Sequence, residues 1–150
     1  MKSPTVLVTC VGTVTSPSHI GSLRHNPEDR PLRIIGTDMT TPCIGQYITD
    51  KFYHVPPGIS PDYLDKLLEI CQKESVDVVF PASHEEALIL AKSRDLFKKL
   101  GTKIAISKQE VLELAFNKKL AYQKLKSADL PCPRFHAAVS YTHLLSLIHI

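Results

Sequence analysis

The sequence predicts an α/β fold in which a parallel sheet is covered by helices on both faces. Short runs rich in β-branched and aliphatic residues alternate with stretches of helical periodicity. Helix-start signals, either Ser-Pro or a serine with glutamate three residues later, recur where those runs end. The helical stretches are about three turns long, which suits the crossover connections that parallel strands require.

Taken in order, Thr5 to Thr9 is the first strand, and its exit loop reaches Gly12. Ser16 is expected to cap a short helix with Pro17 at its first position; Ile20 and Leu23 share a face, and Pro27 stops the turn. Leu32 to Gly36 is the second strand and delivers Thr37 and Asp38 to its carboxyl end. Residues 39–50 show no clear period and are expected to wander. Lys51 to Val55 is a short third strand ended by Pro56-Pro57. Ser60 and Pro61 mark the next helix, in which Leu64, Leu67, Leu68 and Cys71 repeat at helical spacing and Asp62 and Asp65 suit the amino-terminal dipole. Val76 to Phe80 is the fourth strand. Ser83 and Glu86 have capping-box spacing at the start of a helix expected to run to Gly101. Lys103 to Ile106 is the fifth strand, Ser107 and Glu110 repeat the capping-box spacing, and Asn117 opens a last helix that Pro131 ends.

Composition narrows the function classes. The 150 residues are 43% hydrophobic, enough for one core, and the net charge of +3 comes from basic residues scattered singly or in pairs. Neither nucleic acid nor a membrane is implied as a partner; the apolar run near the amino terminus is too short for a signal core or a span, so a soluble cytoplasmic protein is expected. Cys10, Cys43, Cys71 and Cys132 lie far apart with no C-x-x-C pair and read as reduced thiols. The last twelve residues, 139–150, contain no Lys, Arg, Asp or Glu, follow no helix or strand pattern, and read as a non-native tail to be set aside.

In a parallel α/β sheet the ligand crevice lies beyond the carboxyl ends of the strands. That edge would carry Gly12, Thr13, Thr37, Asp38, Ser83, His84, Glu85 and Ser107. Gly12, Thr13, Asp38, Ser83, His84 and Glu85 are the candidate substrate-binding residues. Each has a plainer alternative: Asp38 as a strand-end turn residue, Ser83 to Glu85 as the first turn of a helix, where acidic groups are favoured by the dipole. Glu86 reads as a capping residue. The loop after the first strand holds one glycine where a dinucleotide-binding loop would hold three, so a pyrophosphate is poorly supported. The histidines show no metal-ligand spacing, and no catalytic residue or metal site is assigned.

The segment Asn117-Lys118-Lys119-Leu120 through Leu130-Pro131-Cys132-Pro133 is the most specific feature. It resembles the junction in ATP-grasp enzymes where an Asp/Asn-Lys pair opens a helix that leaves through a hydrophobic-Pro-x-Pro exit. Upstream, Val6-Leu7-Val8-Thr9, Gly36-Thr37-Asp38, the segment Asp50 to Pro56, and Val78 to Pro81 resemble the pre-ATP-grasp domain of the carbamoyl-phosphate-synthase-like branch. The likeness covers roughly residues 4–136 and departs from many relatives at Cys10 and Thr13, where glycines are common, and at Asn117, where aspartate is.

The resemblance implies a Rossmann-like pre-ATP-grasp domain over 1–116, the start of an ATP-grasp domain over 117–138, and the tail over 139–150. It implies a ligase that uses ATP and Mg²⁺ to activate a carboxylate as an acyl phosphate, which an amine or similar nucleophile then attacks. Its partners would be small-molecule carboxylate and amine substrates. Lys118 matches the lysine that reaches ATP phosphates, a role its flexible ammonium suits; a solvated helix lysine is the alternative. The metal ligands would lie outside this chain, which alone is expected to be inactive. Two other classes remain open. One is a non-catalytic module, flavodoxin-like or receiver-like, that recognises a small ligand or partner at the strand ends; a receiver would need an acidic pocket after the first strand, where Thr9-Cys10-Val11 offers none. An NAD(P)-binding domain is weakened by the lone Gly12.

Overall fold

A computed structural model describes residues 3–135; the segment 139–150, expected to be a tail, lies outside the described residues, as does the end of the 117–138 segment. The elements run β1 (Thr5–Val8), α1 (Ser16–Arg24), β2 (Arg33–Asp38), α2 (Gly45–Ile48), β3 (Lys51–His54), α3 (Tyr63–Glu74), β4 (Val78–Phe80), α4 (His84–Lys92), α5 (Arg94–Lys99), β5 (Lys103–Ile104), α6 (Gln109–Phe116) and α7 (Lys118–Ser127). The chain divides into two compact units, Met1–Gln109 and Glu110–Ile150.

In the first unit five strands form one parallel sheet in the order β3-β2-β1-β4-β5, as the alternating pattern requires. Its two faces fill two cores. Leu7, Ile35 and Val79 enter one with Leu67, Ile70, Leu90 and Phe97, whereas Val6, Val8 and Ile34 enter the other with Val11 and Ile20. The split follows from the two-residue period of a strand: neighbours in sequence point to opposite faces, and both must be apolar when helices cover both.

Four local expectations need correction. Residues 39–50 contain a short helix, α2, rather than only loop. Ser16 does not cap α1: it is the first helical residue, and its hydroxyl turns inward to donate to the Cys10 carbonyl at 3.3 Å. The helix after Ser60-Pro61 begins two residues later, at Tyr63, whose ring is fully buried; Ser60 holds the preceding turn by accepting from the Tyr63 amide at 3.1 Å. The run expected to reach Gly101 breaks at Ser93, which ends α4 and precedes α5, consistent with the competition of serine for helical backbone groups. Gly101 still ends α5, with φ of 77°.

The amino-terminal edge of the sheet is tied to α3 by a charged hub absent from the sequence reading. The buried Glu74 carboxylate accepts from Lys51 Nζ at 2.7 Å and from Arg33 and the Tyr53 hydroxyl. These three donors hold it well below the usual carboxylate range, at about 2. In the second unit Asn117 caps α7, its Oδ1 accepting from the Leu120 amide at 3.2 Å, and the Tyr122 and Phe135 rings sit 5.1 Å apart. None of the residues in α6 and α7 is buried.

Because the folded pKa of Glu74 lies below its ordinary 4.5, its contribution to stability is complete above that value and disappears as the pH falls through about 2. Glu74→Gln is expected to lower stability by about 1–2 kcal/mol at neutral pH, and to flatten the loss of stability below pH 4.5. Urea unfolding followed by circular dichroism at several pH values measures both.

Candidate functional site

The strand order places a switch point at β1. From β1 the chain winds outward through β2 and β3 on one side, then returns to build β4 and β5 on the other. The loops leaving β1 and β4 therefore diverge, and the gap between them is where ligands bind in open parallel sheets. A cleft of about 390 Å³ opens there. Such a volume suits a small molecule.

The carboxyl ends of β1 to β4 contribute, whereas Ser107, beyond β5, is not among the lining residues. After β1 come Cys10, Gly12 and Thr13; at the end of β2, Asp38, Met39 and Thr40; beyond β3, Pro57, Gly58 and Ile59; after β4, Ser83, Glu85 and Glu86. Gly12, Thr13, Asp38, Ser83 and Glu85, singled out from sequence, are thus brought to one cavity. His84, the first residue of α4, is not among the lining residues. Lys118 lies in the second unit, exposed at the start of α7.

Asp38 is fixed by the backbone it faces. Its Oδ2 accepts from the Gly12 amide at 2.6 Å and its Oδ1 from the Thr40 amide at 2.8 Å, so both oxygens are oriented although the residue is buried. The loop approaches closely because position 12 lacks a side chain: a Cβ there would stand 2.8 Å from Asp38 Oδ2. Across the cleft, a Cβ on Gly58 would stand 2.9 Å from Glu86 Cγ. Both glycines give the backbone access to a buried carboxylate.

Glu86 does only half of what a capping box implies. Its amide donates to Ser83 Oγ at 3.3 Å, as expected. Its carboxylate instead accepts from Thr9 Oγ1 at 2.5 Å and from Ser83 Oγ at 3.0 Å, joining the ends of β1 and α4 and lining the cleft. A Ser with Glu three residues on is compatible with either use of the carboxylate, so this role was not visible in one dimension. The loop Pro57 to Ile59 was also missed, although a rule naming strand ends would have found it if applied to β3.

The potential in the cleft is negative. Burial, then the charges of Glu86, Asp38 and Glu85, push the Cys10 thiol up to about 11, so it stays protonated at neutral pH and is a poor nucleophile. Cys10 itself sits at φ 55°, in the left-handed region where a glycine would be easier. The Tyr63 hydroxyl is likewise held protonated, first by burial and then by the Glu86 carboxylate. Among the described residues, no Lys, Arg or His lines the cleft. Among the described residues no group of three or more His, Cys, Asp or Glu is placed to hold a metal ion, and no helix is long and apolar enough to cross a membrane.

A doubly covered parallel sheet with a crevice at its switch point defines an α/β domain of Rossmann-like architecture. A family model described as "PylC-like, N-terminal domain" matches residues 7–105, and the chain belongs to that family, a pre-ATP-grasp domain of the class the sequence suggested. Solved structures share the fold. The N5-carboxyaminoimidazole synthetase of Staphylococcus aureus, solved with ADP, superposes with a TM-score of 0.64 at 15% identity, over 99% of this chain and 37% of that one. The biotin carboxylase domain of a single-chain bacterial carboxylase gives 0.60 at 15%, over 98% and 34%. The glycinamide-RNase-transformylase T of Mycobacterium tuberculosis gives 0.62 at 12%, over 95% and 38%. This chain therefore spans a little over a third of the length of those structures. No curated protein matches by sequence.

Gly12→Ala is expected to displace the Asp38 carboxylate or the loop, because the new methyl would meet atoms that hold two backbone hydrogen bonds. A loss of about 1–3 kcal/mol in thermal or urea unfolding, with the largest amide shifts at Thr40, is the expected outcome.

Proposed function

We propose that this chain is the amino-terminal part of an ATP-dependent ligase of the ATP-grasp superfamily, and that its sheet-edge cleft holds a small-molecule substrate rather than the nucleotide. The carrying observation is the family match across residues 7–105, which spans β1 to β5. Enzymes of this superfamily use ATP and Mg²⁺ to convert a carboxylate into an acyl phosphate that an amine or similar nucleophile attacks. That chemistry belongs to the longer protein.

The cleft does not suit a triphosphate. Its charged lining consists of Asp38, Glu85 and Glu86, and like charge would oppose phosphate oxygens. No nucleotide step is assigned to it. Lys118 is the residue proposed for nucleotide contact: it is exposed at the first turn of α7, where an ammonium beside free helix amides suits an anionic phosphate. Gly12, Thr13, Asp38, Ser83 and Glu85 are proposed to contact substrate, with Glu86 added to them and His84 at the rim of the same helix start. Mg²⁺ is assigned no ligand among the described residues.

Two measurements test the reading. Calorimetric titration of the 150-residue chain with ATP and Mg²⁺ is expected to give weak binding or none, because the cleft lining is acidic and Lys118 is the one residue assigned to the nucleotide. Saturable binding of NAD or NADP would instead replace the ligase reading with a dinucleotide-binding one. In the longer protein, release of ADP should depend on a carboxylate and an amine substrate, and Lys118→Ala should raise the KM for ATP by about tenfold or more, the scale of one charge-assisted contact. ATP turnover unaffected by the substitution would remove Lys118 from the site.

A further inference from the structure

We infer that Thr9, at the exit of β1, is a positioning residue: its buried hydroxyl fixes the Glu86 carboxylate and the turn before α4 as one wall of the cleft. The role rests on the cleft being the substrate site proposed above.

Thr9 follows β1 directly, and its amide donates to the Phe80 carbonyl at 3.1 Å, so its backbone is held against the end of β4. The residue is fully shielded and is not among those that line the cleft, so it cannot touch an occupant. Its hydroxyl is used twice. Oγ1 donates to Glu86 Oε2 at 2.5 Å and accepts from the Ala82 amide at 3.2 Å. A hydroxyl has one proton to give, and here it is committed to the carboxylate, while the turn amide is received on the same oxygen. The branched Cβ of threonine restricts its rotamers, so the direction of the hydroxyl is set by the strand.

Glu86 is a long side chain that lines the cavity while being buried, and its orientation needs a hold from below. Its other hydroxyl donor, Ser83 Oγ at 3.0 Å, belongs to a partly exposed residue that lines the cleft itself and also receives the Glu86 amide. Ser83 is open to solvent and to any occupant; Thr9 is open to neither. From the front, Gly58 lets the far loop close on the same side chain, since a Cβ there would stand 2.9 Å from Glu86 Cγ. The opposite wall is built separately: Asp38 is held by the Gly12 and Thr40 amides. Valine at position 9 would keep the shape of threonine but remove both hydrogen bonds, leaving the Ala82 amide without its acceptor and Glu86 with Ser83.

The test is heteronuclear NMR of the 150-residue chain, which needs neither ATP nor substrate. In the unmodified chain the Thr9 hydroxyl proton is expected to exchange slowly with water and to show cross-peaks to the Glu86 side chain and the Ala82 amide. Thr9→Val is expected to shift the Ala82 and Gly58 amides and to average the couplings that report the Glu86 side-chain torsions, with the Gly12 and Thr40 amides unmoved. Thr9→Ser should restore the unmodified pattern. In the longer protein Thr9→Val should lower kcat for ADP release by about tenfold or more, the scale of a misplaced contact, with the KM for ATP unchanged, and Thr9→Ser should recover it. The inference is overturned if the Thr9 hydroxyl exchanges freely, if Glu86 keeps its torsions in Thr9→Val, if Gly12 and Thr40 shift as much as Ala82 and Gly58, or if ADP release is unaffected. A longer protein that releases no ADP before any substitution would remove the ligase reading, and the NMR outcomes would still decide the role of Thr9.

Discussion

The fold depends on the burial of β1. Leu7 and Val8 are completely shielded, and the strand is hydrogen-bonded on both edges, to β2 at Thr5↔Arg33 through Val8↔Gly36 and to β4 at Val6↔Val78 through Val8↔Phe80. A strand covered on both faces and paired on both edges must be apolar at successive positions, and Val-Leu-Val satisfies this. Because the chain winds away from β1 first on one side and then on the other, its exit loop has no parallel neighbour to follow. That divergence opens the cleft, so the stability of the core and the existence of the site have one origin.

Charge is distributed unequally along the strands. At the amino-terminal edge Glu74 meets Arg33, Lys51 and Tyr53, a closed set in which each charge has a partner. Across the sheet, at the carboxyl ends, Asp38 and Glu86 are buried with neutral donors only. Hydrogen bonds from amides and hydroxyls orient those carboxylates without neutralising them. The first arrangement is a structural clamp; the second leaves a field directed at whatever enters the cavity.

The family relationship fits this division. Among the described residues the cleft has no basic side chain of the kind a phosphate site would need. α6 and α7 are amphipathic in sequence yet bury no residue among those described.

Periodicity and punctuation carried most of the fold. The strand runs, the capping serine at 83, Asn117 at the head of α7 and Gly101 after α5 were legible because each depends on near neighbours in the chain. Errors arose where a distant contact overrode a local signal. Ser16 turns to the Cys10 carbonyl instead of capping, Tyr63 starts α3 because its ring belongs in the core, and Gly45 allows α2 to form hard against Val11. By itself the sequence determined an α/β sheet and five of the residues that line its cleft, since strand ends and glycine positions are local facts. Only the tertiary structure decided that Glu86 turns toward Thr9, that Pro57 to Ile59 close the far wall, and that the gathered charges are uncompensated. Those outcomes depend on strand order, which brings together residues as far apart as Thr9 and Glu86 and leaves no trace in the pattern of neighbours.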